Sequence, residues 1–397
     1  MAVLVAALGY FVDIFDIVLF GVLRKESLLE MGFSGDANGE MGLLLANLQM
    51  LGMLVGGVVW GMLGDKRGRI SVLFGSILLY SLANIANGLI TDIYSYGVCR
   101  FLAGVGLAGE LGAGITLVSE LMSKEKRGIG TMIVASVGVS GAVAATLIGN
   151  SFDWRITYFI GGSLGLLLLT LRIGVNESGI FKNMSTGSIS KGNFFMLFNN
   201  KSRLKRYLSC ILMGMPAWFV VGILIYQAPE FGKVLGITED LSAGVAIRNC
   251  YIGMTIGDLC SGALSQLMRS RKNVLLIFFI LTGIFISFYL LLPYPDASLL
   301  YFACGLLGFG VGFWAIFVTV AAELFGTNLR ALSATTVPNF ARGMLVPLSA
   351  IFVYLMQLWD DRIMAAMAVG SFSLLLAFIG WAMLKETYGN DLDFIEE

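Results

Sequence analysis

The sequence predicts an all-α membrane protein of twelve transmembrane helices, arranged as two pseudo-symmetric six-helix bundles. Three observations predict it: a composition suited to lipid, twelve apolar stretches of spanning length, and a charged pair repeated at matching helix ends. The 397 residues are 57% hydrophobic and only 13% charged, with 50 glycines and 28 phenylalanines, whereas a soluble domain is about 25% charged. A spanning helix needs about 20 mainly apolar residues. The stretches 2–23, 41–63, 70–90, 96–121, 128–149, 155–174, 207–230, 243–268, 273–292, 297–322, 331–356 and 363–384 qualify. In the repeat, Glu120 and Arg127 follow span four just as Glu323 and Arg330 follow span ten, with the same spacing within each pair.

Each stretch is placed by what interrupts or follows it. The first carries Asp13 and Asp16 inside its apolar run with no small-residue cleavage site behind it, so it reads as helix one and not as a secretory leader. Orientation comes from cations, because Lys and Arg accumulate in cytoplasmic loops. Arg24, Lys25, Arg155, Lys233 and Arg362 fall on one side. A larger set, including Lys66, Arg67, Lys124, Lys126, Lys182, Lys191, Arg203, Arg206, Arg269, Arg271 and Lys272, falls on the other. Both termini are therefore expected in the cytoplasm, and the membrane is expected to be a bacterial inner (plasma) membrane. The polar stretch 175–206 divides the chain into an N-terminal bundle, 1–174, a cytoplasmic linker, 175–206, and a C-terminal bundle, 207–397. Two parallel repeats with sites at their interface near the bilayer midplane form a transporter architecture.

Charge and side-chain inventory remove other classes. Acids and bases number 26 each, so no basic excess attracts nucleic acid. The five cysteines lie scattered in apolar stretches without CxxC spacing and read as small hydrophobes. There is no histidine, which removes the commonest metal ligand and catalytic base, so no metal, no cofactor and no enzymatic chemistry are expected. Proton chemistry falls to carboxylates. Gly104-Val-Gly106-Leu-Ala-Gly109 satisfies GxGxxG, but it lies in an apolar helix without a βαβ unit and reads as close helix packing.

Several motifs carry a resemblance. Gly61 through Asp65-Lys66-Arg67-Gly68-Arg69 resembles the GxxxD(R/K)xGR loop of the major facilitator superfamily. Arg100 through Gly104 and Gly109-Glu110 resemble the RxxxG…GGE run of its helix four, and Asp153-Trp154-Arg155 the WR before helix six. Asn176-Glu177-Ser178-Gly179 resembles the ESP motif with glycine in place of its proline, and Asp13-Ile-Phe-Asp16 the acidic pattern of proton-coupled organic-acid carriers. The chain thus resembles the metabolite:proton symporter and sugar porter branches. In the second copy of the loop, Gln266 stands where an acid would sit.

Charges inside a bilayer cost at least about 2.5–3.5 kcal/mol at a helix centre, so each needs a partner or a cavity. Asp13 and Asp16 share one helix face at mid-depth, and two neighbouring carboxylates cannot both ionise easily. With Glu110 in span four they form the candidate proton-coupling set. Arg342 in span eleven suits a substrate carboxylate or phosphate through paired hydrogen bonds; the competing reading is an Arg342–Asp258 salt bridge. Asp258, Arg248, Tyr10, Gln49, Trp218, Tyr226, Gln227, Trp314 and Asn339 are the further substrate-binding candidates. Asp65, Arg69, Glu120, Arg127, Glu323 and Arg330 are the conformational gating set. Asp65 is suited to a facing helix N-terminus or a cation, Arg69 to Glu120, and Glu120/Arg127 and Glu323/Arg330 to equivalent latches, one per half.

The expected function is alternating-access import of a small organic acid or zwitterion with protons, by a monomer in the lipid bilayer. The alternatives left open are a proton-driven exporter, a uniporter of a neutral solute such as a sugar, and, from another class, a sensor that binds without transporting.

Overall fold

The computed structural model describes residues 2–34, 36–122, 127–171, 193–294, 296–390 and 394–396. Helices begin where a short side-chain oxygen accepts from the first free backbone N–H groups. Asp92 does this before span four, Asn200 before span seven, Ser242 before span eight, Ser270 before span nine, Asp296 before span ten and Asp361 before span twelve. Among the described residues, eleven helical stretches are long and apolar enough to cross a membrane. The twelfth, span eight, is the 26-residue helix Ala243–Met268; Arg248 and Asp258 lower its apolarity, and Asp258 is fully buried in the protein.

Three boundaries differ from the sequence expectation. Span one continues to Glu30 because that residue is tethered at the opposite end of the bundle. Its carboxylate accepts from Trp154 Nε1 at 2.6 Å and from Arg155 at 2.7 Å. Span two already begins at Asp36. Span seven begins at Lys201, under the Asn200 cap, so the last part of the expected linker 175–206 is helix. Residues 172–192, with the expected motif at Asn176, Glu177, Ser178 and Gly179, lie outside the described residues, as do Lys124 and Lys126.

Five spans are broken near mid-depth. Span four passes from Ile93–Leu107 to Glu110–Leu121, span five from Arg127–Val139 to Gly141–Gly149, and span ten from Ala297–Gly310 to Trp314–Glu323. Span eleven passes from Arg330–Gly343 to Leu345–Trp359. Span seven contains Pro216, which has no N–H to donate, and widens into a π-helix over Val220–Ile225. Such breaks leave backbone groups for side chains or ligands to satisfy.

Corresponding spans in the two halves are locked by glycine. A Cβ on Gly52 or Gly104 would lie 2.1 Å from a carbonyl oxygen of span four or two, and one on Gly253 or Gly308 would lie 2.0 or 1.8 Å from a carbonyl oxygen of span ten or eight. Backbones therefore touch directly between spans two and four and between eight and ten. Besides the packing of span eight on span five, where Gly262 faces Met132, the halves meet where Gly57, Gly61 and Gly64 of span two face Asn339, Leu332 and Ala331 of span eleven, and where Gly112 faces Thr335. The contact of span eleven engages the Arg330–Gly343 helix, on the side of the molecule that carries the chain termini, called here the terminal face. Outward-facing Leu82, Leu102, Ile284, Phe302 and Leu375 are exposed, as lipid-facing surface should be. Tyr94, Tyr294 and Trp359 lie exposed at loops of the far face, the usual depth of an aromatic belt.

Gly308→Val should force spans eight and ten apart, costing about 1–3 kcal/mol or more as overpacking. The check is the Tm of detergent-purified protein against a Gly283→Ala control, whose added Cβ would meet only a Leu374 methyl at 3.4 Å. A Tm for Gly308→Val equal to the control would contradict the packing described.

Candidate functional site

Two buried charge clusters sit between the broken spans. At the first, the end of the Arg330–Gly343 helix places Arg342 at the interface of the halves. Its Nη2 lies 3.7 Å from Asp13 Oδ2 of span one, an ion pair longer than a hydrogen bond. Neither Asp13 oxygen accepts a hydrogen bond. Arg342 Nη1 donates to Asn339 Oδ1 at 3.3 Å. The guanidinium carbon stands 5.8 Å from the ring centres of both Trp218 and Trp314, and these two rings meet edge to face at 6.1 Å. Tyr10 is fully buried among Asp13, Arg342, Asp258 and Trp314; it fits because Gly138 of span five has no side chain, where a Cβ would fall 1.9 Å from its ring.

The Arg342–Asp258 salt bridge considered from sequence is replaced by the Arg342–Asp13 pair. Asp258 turns to the break in span ten, where its Oδ1 accepts from Ala315 N–H at 2.9 Å. The physical reason is local: the helix Trp314–Glu323 begins inside the membrane with unsatisfied N–H groups, and a carboxylate is their natural partner.

The second cluster lies in the N-terminal half. Arg100 donates to Asn84 Oδ1 at 3.1 Å and to Gln49 Oε1 at 3.4 Å. Its guanidinium sits 5.4 and 5.3 Å from the rings of Phe20 and Tyr158. Asp16 faces this cation. Glu110 accepts from Ser76 Oγ at 2.6 Å and also acts electrostatically on Asp13. The three acids named from sequence are thus all buried, with Asp13 central among them. Tyr226, Gln227 and Arg248 stand further toward the far face, where Gln227 Oε1 accepts from Arg362 at 2.6 Å.

At the terminal face, Asp65 accepts from the N–H groups of Ala331 and Leu332, both at 3.0 Å. A carboxylate of span two thereby caps span eleven. Arg330 Nη1 meets Glu120 Oε1 at 3.2 Å with both side chains buried. Of the two expected latches, the Glu323/Arg330 pair is corrected: the Arg330 bond crosses between the halves, while Glu323 meets Arg271 at 3.3 Å and accepts from Thr387 at 2.8 Å. The cause is that capping by Asp65 seats residue 330 against the N-terminal half. The side chains of Arg69 and Arg127 lie outside the described residues.

Some participants went unnoticed in the sequence. Asn84 and Ser76 are polar residues in an otherwise apolar span, a signal available but weaker than charge. Glu386 accepts from the N–H groups of Arg271, Lys272 and Tyr388 and from Ser270 Oγ. Partial burial pushes its carboxyl up, but those four donors outweigh it and hold it below its ordinary 4.5.

A double-mutant cycle on Glu120→Gln and Arg330→Gln should give a coupling of about 1–3 kcal/mol in thermal unfolding; additive effects would show that the pair contributes nothing of its own. Glu386 makes a separate contribution that depends on pH. Its depressed value means that its stabilisation is full above pH 4.5 and fades as pH falls through the folded-state value. The Tm gap between the parent and Glu386→Gln should therefore narrow on acidification below that point, and a gap constant with pH would contradict it.

Comparison with known proteins follows the same lines. The model of the Major Facilitator Superfamily matches residues 6–348. A 3-(3-hydroxy-phenyl)propionate transporter of Escherichia coli is 28% identical, covering 81% of this chain and 79% of its own length. The sialic acid transporter NanX of Escherichia coli is 24% identical, covering 88% and 85%. In three dimensions the chain is similar to the proton:xylose symporter XylE bound to 6-bromo-6-deoxy-D-glucose, with a TM-score of 0.78 at 16% identity, covering 99% of this chain and 97% of that one.

Proposed function

From the premise that this chain belongs to the major facilitator superfamily, as a multi-pass membrane transporter of small organic metabolites and not an enzyme, we propose that it imports an organic monocarboxylate together with a proton. The terminal face is then cytoplasmic, in the inner membrane of a bacterium, and the monomer is the working unit. The observation that carries this reading is the Arg342–Asp13 pair, 3.7 Å apart and without a hydrogen bond between them, with the guanidinium facing two tryptophan rings.

A free carboxylate can offer Arg342 two parallel charge-assisted hydrogen bonds, which Asp13 in its present position does not. The substrate therefore wins the cation. Asp13 is then a buried anion beside Glu110 and Asp16 without its counter-ion, a costly state that uptake of a proton removes. Cargo and proton load together, and once both leave, the Asp13–Arg342 pair re-forms and neutralises the empty carrier for its return. Trp218 and Trp314 supply apolar faces for the body of the acid, with Tyr10 closing the pocket. Gln49, Asp258 and Asn339 support the walls. Arg248, Tyr226 and Gln227 lie on the approach from the far face. Asp16 and Glu110 share the protonation burden with Asp13. The two curated relatives carry names of carboxylic acids, which supports the substrate class.

The test uses proteoliposomes with 3-(3-hydroxyphenyl)propionate, sialic acid and xylose. An inward proton gradient should drive accumulation of at least one acid and not of xylose. Asp13→Asn should abolish that accumulation while leaving counterflow, and Arg342→Ala should weaken binding by about 10-fold to 100-fold, as expected for a lost charged hydrogen-bond pair. Accumulation by Asp13→Asn equal to the parent would sink the coupling, and unchanged binding by Arg342→Ala would sink the acid.

A further inference from the structure

Asn339 sits beside the Arg342 site, and its bonds lead away from it. It lies three residues before Arg342 on span eleven and is fully buried. One Nδ2 contact runs to Thr335 O of its own helix at 2.7 Å. The other crosses to the N-terminal half, to Ala108 O at 2.9 Å. Its Oδ1 accepts from Arg342 Nη1 at 3.3 Å. A carboxamide has two N–H donors, and both are thus engaged while its oxygen is held by a cation.

The crossing bond ends where span four is broken. The helix Ile93–Leu107 stops and the next begins at Glu110, so Ala108 O belongs to the step between them, and the neighbouring Val105 O accepts from Trp60 Nε1 at 2.7 Å. Room for the carboxamide comes from Gly57 of span two, where a Cβ would lie 3.2 Å from Asn339 Cβ and Nδ2. Spans two, four and eleven therefore meet at this one amide. Toward the terminal face the same pair of halves is joined by Asp65 at Ala331 and Leu332 and by Glu120 at Arg330.

We propose that Asn339 is a positioning residue that transmits occupation of Arg342 to the closure of span four against span eleven. The inference rests on the carboxylate reading of Arg342. A carboxylate seated on both terminal nitrogens of Arg342 withdraws Nη1 from Asn339 Oδ1. The amide then loses one of three bonds that fix its rotamer, together with the polarisation that a cationic donor lends to its N–H groups. The bond to Ala108 O weakens, and the terminal face loses its mid-membrane bracket when the site is loaded. Empty, the bracket is made and the terminal face stays shut.

Hydrogen exchange on the full-length protein in detergent tests this, with 3-(3-hydroxyphenyl)propionate and sialic acid as probes and the amides of Glu110–Leu121 and Arg330–Thr336 as the readout. In the parent, the probe that binds should speed exchange in both segments by about fivefold, the equivalent of one net hydrogen bond. Asn339→Ala should show that faster exchange without any probe, with no further response when a probe is added. Asn339→Asp keeps an acceptor for Arg342 and loses the donor to Ala108. It should exchange as fast as the alanine variant and bind the probe more weakly, because its carboxylate competes for the cation. Parent-like exchange in both unliganded variants overturns the inference, as does a parent-like response to the probe in Asn339→Ala. Failure of every probe to bind the parent overturns the carboxylate reading instead, and the unliganded comparison still decides whether Asn339 is the bracket.

Discussion

An ionised group in hydrocarbon must be matched by a counter-charge or a set of dipoles, and the interior of this protein is organised around that requirement. Asp13 is matched by Arg342, Asp258 by the N–H of Ala315, and Glu120 by Arg330. Two of these three matches join different halves of the molecule. A partner on the other half is a conditional partner: whatever separates the halves, or offers the cation a better anion, exposes the cost of an unpaired charge. Compensation that would be static within one bundle becomes an element of conformational control when divided between two.

The backbone is arranged to permit such division. Glycine lets spans two and four, and eight and ten, pack carbonyl against Cα, so each half is stiff internally. The breaks in spans four, seven, ten and eleven fall at the depth of the charges and expose peptide groups there. A continuous helix would have kept those groups for itself. Stiff bundles with polar backbone at the seam can change partners across that seam without refolding.

Much of this was legible in the sequence and some was not, for identifiable reasons. Apolar run length gave the twelve spans, and the loop beginning at Gly61 with the repeated Glu/Arg pair gave the family, because these signals are local. Charge at mid-span singled out Asp13, Asp16, Glu110, Asp258 and Arg342 as buried groups for the same reason. Their partners were hidden, since pairing depends on the rotation of helices hundreds of residues apart in the chain. Asp258 shows this well. Its partner is a backbone N–H made available by a break at Val311–Phe313, which no charge in the local sequence announces. Asn84 and Ser76 escaped because a search for charge passes over neutral donors. The early start of span seven was missed because Lys201, Arg203 and Lys205 resemble a loop until the Asn200 cap is recognised.

The repeat of the two halves is imperfect, and the imperfection has a direction. Asp65 caps span eleven across the interface. At the matching place in the other half Gln266 accepts from Tyr388 of its own bundle at 3.2 Å, and an uncharged amide makes a weaker cap for a helix N-terminus than a carboxylate does. The ties of Asp65, Glu120, Ala108 and Asp13 all end on one helix of the C-terminal half, at Ala331 and Leu332, Arg330, Asn339 and Arg342 in turn. The helix Arg330–Gly343 therefore carries the terminal-face closure at one end and the charged site at the other. On the proposed function, a helix tied at both ends couples release at one end to load at the other, and span eleven would then be the element through which site and gate communicate.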